Sequence, residues 1–457
     1  MSVKEIPYCD PCSIFPLFKD QPFSILLDSC GLGRYSLIVF EPKEVIRENP
    51  FPLLKKYLKT NHQDKNLNFP LGESPLGESP FSGGWVGYLG YDLYPLLETR
   101  IPQPMPQKDS LPPCLLGYYD KGICFDHLQK KMFVFSENHE SQITEILKTA
   151  PSPSMGEGQG EGDRGVTLPF IPSHQGRGDK IDFLSNFTHE EYLRAIRKIK
   201  DYIAAGDCYQ VNLSQRFQTK YGGDPWDLYL RLREVSPSPY AAYLNGGDFQ
   251  ILSSSPELFL RVRADGGAPL LVTTRPIKGT RPRGKTPEED ARLKEELVMS
   301  RKDRAELLMI TDLERNDLGR VCKKGSIQVS ELYRAESFSN VHHLVATIEG
   351  ELEEGKDAVD CLKACFPGGS ITGAPKIRAM EIIRELETVP RGVYTGAIGF
   401  IGDDQSAHFN IAIRTLTLKE GNAFFHSGGG IVADSDPEAE YQETLAKASG
   451  IMRALDR

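Results

Sequence analysis

The sequence predicts a protein of mixed α+β or α/β class, and three observations lead to this prediction. Short apolar runs separated by glycine-rich turns dominate the first third of the chain, as strands joined by turns would. After residue 180, helical signals become stronger and alternate with further strand-like runs. The chain has 457 residues, of which 39% are hydrophobic, and this suffices for a large core and for two or three domain-sized units.

The part before residue 150 is predicted to consist mainly of strands. The runs FSILLDS and SLIVFEP are apolar, and the segment GGWVGYLGYDLYPLLE combines aromatic residues with closely spaced glycines. We therefore assign residues 1–149 to the N-terminal part of the fold. Within it, residues 71–80 repeat the five letters LGESP, which we interpret as an expanded loop.

Residues 150–180 are rich in Gly, Pro, Ser and charged residues and contain few side chains that could pack. This composition is typical of a flexible linker. The linker separates the first part from residues 181–457, which we assign to a catalytic domain. We expect neither the linker nor the duplicated loop to carry chemistry.

A helix is predicted immediately after the linker. Thr188 and Glu191 have the spacing of a capping box, and Gly206 can end the helix. Apolar residues follow at helical intervals between these signals: Tyr192, Ile196, Ile199 and Ile203. Further helices are predicted over 287–312 and 437–456, and strands at YAAYL, FQILSSS, LFLRVRA, GAIGFIG, FNIAIRTLTL and AFFHSGGGIVA.

Charge and cysteine content exclude several classes of function. The net charge is −9, the pI is near 5.6 and the basic residues are scattered, which argues against nucleic acid as a partner. No apolar run reaches the roughly 18 residues of a membrane span, and the amino terminus lacks a signal core, so we expect a cytoplasmic protein. Cys9 and Cys12 form a lone CxxC, and the nine cysteines are predicted to be reduced, mostly structural thiols.

Several segments of residues 181–457 together resemble the chorismate-utilising enzymes, a family that includes anthranilate, aminodeoxychorismate, isochorismate and salicylate synthases. LLDS and GGWVGYLGYDL extend the resemblance into the first part. The family implies two stacked antiparallel sheets flanked by helices, with the active site in a central cleft. The matching segments are SSSPELFLR, TRPIKGTRPRG, AELLMITDLERNDLGR, HLVATIEGEL, GGSITGAPKIRAME, YTGAIGFIG, FNIAIRT and SGGGIVADSDPEAEYQETLAKA.

Lys278, in the segment PIKGT, is the residue that distinguishes members of this family. The resemblance places it beside the ring of chorismate, where anthranilate synthases carry a small residue. A deprotonated lysine in a desolvated site can attack ring carbon 2 while the carbon 4 hydroxyl leaves, and ammonia can then attack carbon 4. Glu257, in SSSPELF, matches the acid that would protonate the leaving hydroxyl.

The resemblance also implies a Mg²⁺ site, for which carboxylate oxygens are suitable ligands. Glu306 and Glu443 match the two metal-binding glutamates of the family. Asp303 and Glu440 lie three residues earlier, on the same helical face, and are candidates for holding metal-bound water. An i, i+3 acidic pair is otherwise only a solvated helix face.

Chorismate carries two carboxylates, which call for cations and backbone donors. Arg414 and Tyr394 match residues that hold the enolpyruvyl carboxylate, and Lys447 resembles the partner of the ring carboxylate. Ser370, followed by TGAPK, is predicted to open a helix whose free N–H groups favour an anion. The predicted substrate-binding residues are Gly279, Thr280, His343, Ser370, Tyr394, Arg414, Gly428, Gly429, Gly430 and Lys447.

Two absences narrow the predicted activity. Family members that add water carry a lysine base in the motif matching YQVNLSQ, where this chain has Gln210. The nine cysteines form no Gly-x-Cys-x-Gly nucleophile turn, so ammonia is expected from a separate glutamine amidotransferase subunit, component II of a heterodimer, or from free ammonium.

A second ligand site is suggested in the first part of the chain. LLDS at 26–29 and SPY at 238–240 resemble segments that bind tryptophan in relatives, which makes Ser29, Pro239 and Tyr240 candidates. The chain departs from the commoner LLES by carrying Asp28. Packing residues without a ligand remain an alternative interpretation.

The sequence therefore predicts an enzyme that aminates chorismate at carbon 4 on the route to 4-aminobenzoate and folate. Anthranilate formation is the alternative within the family, and Lys278 argues against it. A catalytically silent protein that binds chorismate or tryptophan is a third possibility, against which the presence of Glu257, Lys278, Glu306 and Glu443 argues.

Overall fold

The computed structural model describes residues 2–61, 81–136, 143, 182–263, 269–338 and 341–456. The predicted linker at 150–180 and the duplication at 71–80 lie outside these ranges. Among the helices of the described ranges, none has the length and apolarity needed to cross a lipid bilayer.

Strands and helices alternate along the described chain. The helices are α1 Pro11–Ile14, α2 Phe51–Asn61, α3 His189–Ala204, α4 Pro225–Val235, α5 Pro287–Met299, α6 Arg301–Leu318, α7 Ala358–Cys365, α8 Lys376–Leu386 and α9 Pro437–Leu455. The strands are β1 Ser2–Pro7, β2 Ile25–Asp28, β3 Tyr35–Val39, β4 Glu44–Ile46, β5 Gly84–Leu89, β6 Cys114–Tyr119, β7 Lys121–Asp126, β8 Lys131–Ser136, β9 Leu184–Ser185, β10 Gln210–Lys220, β11 Tyr240–Asn245, β12 Phe249–Ser255, β13 Leu258–Arg263, β14 Leu271–Arg275, β15 Ile277–Pro282, β16 Gln328–Ser337, β17 Val341–Glu351, β18 Gly373–Ala374, β19 Ala397–Gly402, β20 Ala407–Ile411, β21 Thr415–Lys419 and β22 Asn422–Ile431.

The strands form two antiparallel sheets. In the first sheet the order is β1-β8-β7-β3-β2-β11-β12-β21-β22-β10-β18, with β9 also paired to β10. In the second sheet the order is β15-β17-β14-β13-β20-β19-β5-β6-β4, with β16 also paired to β17. Strands from before residue 150 and after residue 181 are neighbours in both sheets, because β2 pairs with β11 and β5 pairs with β19.

A core of apolar side chains joins the two sheets. Ile25 and Leu37 of the first sheet belong to the same buried cluster as Val86, Tyr88 and Leu115 of the second. On the other face of the first sheet, α4 and α9 share a core with β2, β12 and β22. Two stacked sheets with flanking helices confirm the predicted fold class.

The helix after the linker forms as predicted, from His189 to Ala204, with a complete capping box between Thr188 and Glu191. The single helix predicted over 287–312 is wrong. Ser300 adopts an extended conformation that ends α5, and its side chain accepts a hydrogen bond from the backbone N–H of Asp303 at the start of α6.

The prediction of one strand over FNIAIRTLTL is also wrong. The segment contains two strands, β20 and β21, which belong to different sheets. Arg414 has a φ of 49°, a left-handed conformation that interrupts regular strand pairing between β20 and β21. The chain therefore crosses from one sheet to the other at this arginine.

Candidate active site

Lys278 projects from β15 at a bulge. The register between β15 and β17 shifts between Lys278 and Thr280, and Gly279 between them has a φ of +74°. The Lys278 ammonium lies 2.8 Å from Glu306 Oε1 and 3.2 Å from the carbonyl oxygen of Ser370. Burial lowers the pKa of Lys278, but the negative charges of Glu306, Glu257 and Glu443 outweigh that effect and raise it overall.

Glu257 follows β12 and is buried, with 4% of its surface exposed. Its carboxyl accepts a hydrogen bond from the backbone N–H of Ile277, at 3.3 Å, and its own carbonyl accepts one from Ile411. Burial raises the pKa of Glu257 above its ordinary value, against the opposing influence of Ser370 and Lys278. A carboxyl group with these surroundings keeps its proton to higher pH, as a general acid requires.

Glu306, on α6, contacts both Lys278 and Gln210 and lies close to Gly430. Its Oε1 accepts a hydrogen bond from Gln210 Nε2, at 3.1 Å, in addition to its ion pair with Lys278. A Cβ atom at Gly430 would lie 2.2 Å from Gln210 Nε2 and 2.9 Å from Glu306 Oε1. A side chain at this position of β22 would therefore displace the ends of both groups from each other.

Glu443, on α9, also lies close to β22. It forms an ion pair with Lys447 at 2.7 Å, and its Oε1 would be 3.9 Å from a Cβ atom at Gly429. The Lys447 ammonium also donates to the carbonyl oxygen of Gly428, at 3.2 Å. The predicted glycines of β22 and Lys447 are thus neighbours of this carboxylate.

The same three cations act on both predicted metal ligands. Burial by itself raises the pKa values of Glu306 and Glu443, but Lys278, Lys302 and Lys447 overcome it, and both pKa values are lowered. Both carboxylates are thereby held ionised in one electrostatic neighbourhood. Lys302 was not among the predicted residues, although its position four residues before Glu306 on one helix face could have indicated it.

The two carboxylates fit a magnesium ion by their chemistry. Mg²⁺ is commonly bound through one or two carboxylates, with water and substrate oxygens completing its coordination. Within the described ranges, no group of three or more His, Cys, Asp or Glu side chains is suited to hold a metal, and a site with two protein carboxylates does not need one. The exclusion of side chains at Gly430 leaves backbone close to Glu306.

The acidic residues one turn earlier have other partners. Asp303 Oδ2 accepts a hydrogen bond from Arg281 at 3.2 Å. Glu440 is buried, accepts a hydrogen bond from Ser435 Oγ at 2.7 Å, and lies 3.6 Å from the Lys302 ammonium. These contacts orient both carboxylates within the protein.

Arg414 and His343 lie on the Glu257 side of the centre. The charge of Arg414 acts on the pKa of Glu257 and of His343, and burial lowers the pKa of Arg414 itself. His343 Nδ1 is 3.0 Å from Thr280 Oγ1, and burial lowers the pKa of His343 to about 3, so the imidazole is neutral. The structure therefore brings Arg414, His343 and Thr280 together with Glu257 and Lys278.

Ser370 lies next to Lys278, whereas Tyr394 lines a different cavity. Ser370 lies in a short 3-10 turn, Gly369–Ile371, and not at the start of a helix, because α8 begins only at Lys376. The TGAPK turn therefore opens a helix as predicted, whereas Ser370 itself lies before that helix, where its carbonyl contacts Lys278. Tyr394 stacks on His426, with ring centroids 5.0 Å apart, and lines a separate cavity of about 220 Å³.

The candidate tryptophan residues line a cavity of about 820 Å³ between the sheets. Ser29, Pro239 and Tyr240 all contribute to its wall, together with Pro256 and Ile277, which neighbour Glu257 and Lys278 in the chain. Asp28 accepts hydrogen bonds from Arg233 Nε at 2.7 Å and from the Tyr229 hydroxyl at 3.1 Å. This carboxylate is thus held by the protein, and a ligand in the cavity stays a prediction.

Comparisons with known proteins agree with this geometry. Residues 20–453 match the family described as chorismate binding enzyme. Aminodeoxychorismate synthase component 1 of Bacillus subtilis (strain 168) is 38% identical over 460 residues, covering 96% of this chain and 93% of the relative. Anthranilate synthase component 1 of Synechocystis sp. is also 38% identical, over 484 residues, covering 96% and 92%.

A solved structure supports the same assignment. Anthranilate synthase component I from Streptococcus pneumoniae aligns with a TM-score of 0.75 at 32% identity, over 92% of each chain. The aminodeoxychorismate and anthranilate synthases are equally similar in sequence, so the comparisons define the family and not the product. The chain belongs to the chorismate-binding enzymes.

Proposed function

We propose that this chain is the chorismate-aminating component of an aminodeoxychorismate synthase. The observation that carries the proposal is Lys278, whose partly buried side chain places its amino group 2.8 Å from Glu306 Oε1. A small residue at this position would supply no nucleophile.

Two substitutions at the ring account for the net reaction. The Lys278 amine, once deprotonated, forms a bond to ring carbon 2, the ring double bond shifts, and the carbon 4 C–O bond breaks. Glu257 gives its proton to the departing oxygen, which leaves as water. Ammonia then bonds to carbon 4, the double bond shifts back, and the carbon 2 to nitrogen bond breaks to release Lys278 as the neutral amine. The new carbon 4 ammonium returns one proton to the Glu257 carboxylate, which restores the acid. Chorismate and ammonia give 4-amino-4-deoxychorismate and water.

The other side chains bind and orient the substrate in this proposal. Arg414 holds the enolpyruvyl carboxylate, and Lys447 with the backbone of Gly428–Gly430 faces the ring carboxylate. The same role for Tyr394, which lines a separate cavity, follows from the family resemblance alone. Glu306 and Glu443 would hold Mg²⁺, which supplies positive charge for the ring carboxylate when it is bound. The assignment further implies a glutaminase partner subunit, a cytoplasmic location and a place on the route to 4-aminobenzoate.

A product assay tests the proposal. The purified chain is incubated with chorismate, Mg²⁺ and ammonium, with and without a lyase that converts aminodeoxychorismate to 4-aminobenzoate. We expect 4-aminobenzoate only when the lyase is present, and we expect Lys278→Ala to lose at least 100-fold in that activity. Anthranilate formed without the lyase would show the other activity of the family, and no product from a folded protein that binds chorismate would indicate a silent binder.

A further inference from the structure

Arg391 is a buried arginine outside the predicted site, with 3% of its surface exposed. Its side chain forms a bidentate ion pair with Glu387, at 2.8 Å from Nε and 2.7 Å from Nη2. The three remaining N–H groups donate to Ile371 O at 3.0 Å, Thr395 Oγ1 at 3.2 Å and Asn212 O at 2.6 Å. All five donors of the guanidinium are thus used.

The first of these contacts reaches the turn that holds Lys278. The carbonyl oxygen of Ile371 accepts from Arg391 and also from Asn212 Nδ2, at 3.0 Å, so both of its lone pairs are engaged. The preceding carbonyl, that of Ser370, accepts from the Lys278 ammonium. Because adjacent peptide groups are planar and linked at one Cα atom, fixing the Ile371 carbonyl restricts the Ser370 carbonyl.

The other two contacts reach the proposed substrate-binding segments. Asn212 pairs with Gly430 in the register of β10 and β22, and its N–H bonds to Thr372 O on the opposite edge of β10, so its carbonyl also points away from β22 and towards Arg391. Thr395 has a φ of 60°, and its hydroxyl donates to the carbonyl of Tyr394 at 2.6 Å. Arg391 therefore contacts the backbone or side chain of all three segments.

We propose that Arg391 is a positioning residue that fixes the Ser370–Ile371 turn, the β10 strand next to Gly430 and the Tyr394–Thr395 turn relative to one another. The inference rests on the proposed substrate contacts of these segments, but it holds for any chorismate-consuming reaction of this centre. Lysine cannot replace the arginine, because its ammonium is a point charge with three donors, whereas the observed geometry uses five donors in a plane.

The test compares Arg391→Lys with Lys55→Met. Lys55 forms a partly buried ion pair with Asp357, at 2.6 Å, and also contacts Asp360, so its removal weakens the contact between α2 and α7 without touching the centre. Chorismate consumption is measured with Mg²⁺ and ammonium, together with thermal unfolding of each variant. Consumption reports on positioning whichever product forms, so failure of the proposed product and failure of the positioning role are distinguishable.

We expect Arg391→Lys to raise KM for chorismate at least fivefold and to lower kcat at least tenfold, with Lys55→Met within threefold of the wild type in both. A purely structural role would lower the folded fraction, which reduces the apparent kcat and leaves KM unchanged, and that result would overturn the proposal. If Arg391→Lys does not fold, Thr395→Val removes the contact with Arg391, together with the hydrogen bond to the Tyr394 carbonyl, without changing side-chain size, and an unchanged KM in that variant would equally refute it.

Discussion

Replacing Glu257 by glutamine separates proton donation from the structural role of this side chain. Glutamine has the size of glutamate and keeps an oxygen that can accept the hydrogen bond from Ile277 N–H. It cannot transfer a proton to the leaving hydroxyl. Since a positioned general acid contributes about 10²–10⁴ in rate, we expect kcat to fall by that factor, with chorismate affinity nearly unchanged.

The raised pKa of Glu257 determines the direction in which activity should change with pH. Burial raises the pKa of Glu257, so the wild type keeps the proton at pH values where an exposed glutamate has lost it. Activity should therefore decline as pH rises through the raised pKa, and Glu257→Gln should show no such decline. The raised pKa also means that ionisation of Glu257 destabilises the fold, so the glutamine variant should be at least as stable as the wild type at alkaline pH.

The assay must keep free ammonia constant, because its fraction also rises with pH and would mask the loss. Chorismate consumption is followed between pH 6 and 9, with the ammonium salt adjusted at each point and thermal unfolding recorded alongside. A loss in kcat of less than tenfold, or a Glu257→Gln profile that declines with rising pH as the wild-type profile does, would refute the role of Glu257 as the acid.

Three further substitutions, at Gly430, Glu443 and Glu314, test other groups of the protein. Gly430→Ala should raise the Mg²⁺ concentration needed for half-maximal activity at least tenfold, because the new methyl group would displace Glu306; unchanged Mg²⁺ dependence would contradict this. Glu443→Gln should likewise weaken Mg²⁺ binding at least tenfold. It should also strengthen chorismate binding in the absence of metal, because Lys447 loses its ion-pair partner, and calorimetry can measure both affinities. Burial raises the pKa of Glu314 to about 8, so wild-type stability should fall with rising pH between about 4.5 and 8, by at most about 1.4 kcal/mol per pH unit from this group, and Glu314→Gln should remove that slope in denaturant titrations.

Local signals in the sequence predicted those elements that local interactions determine. The helix after the linker has both its capping box and its apolar spacing within 20 residues, and it forms as predicted. Ser300 interrupts the next predicted helix because a serine can cap a helix as readily as it can lie within one, and only the packing of α6 on β15 and β17 favours the break. Tertiary contacts therefore determine whether this segment forms one helix or two, which the local sequence pattern does not.

In the candidate active site, too, sequence motifs indicate single residues, whereas the contacts between those residues depend on the fold. Glu257, Lys278 and Glu306 could be selected from motifs, and the structure brings them together. The hydrogen bond from Gln210 to Glu306 joins residues 96 positions apart, and the contact of Arg391 with Asn212 spans 179 positions. No periodicity or spacing in a single sequence indicates such pairs, because they depend on which strands become neighbours in the sheet.

The charged side chains around Lys278 explain why binding of a substrate with two negative charges would require an added cation. Three lysines are already paired with three glutamates: Lys278 with Glu306, Lys302 with Glu440, and Lys447 with Glu443. Arg414 adds one positive charge beside Glu257, and burial favours the neutral forms of Glu257 and His343. One carboxylate of chorismate can therefore be compensated by Arg414, whereas the second would compete with a glutamate for its lysine. In the proposed function, a divalent cation held by the glutamates would remove this competition, because it would compensate their charge and leave the lysines for the substrate and, at Lys278, for the reaction.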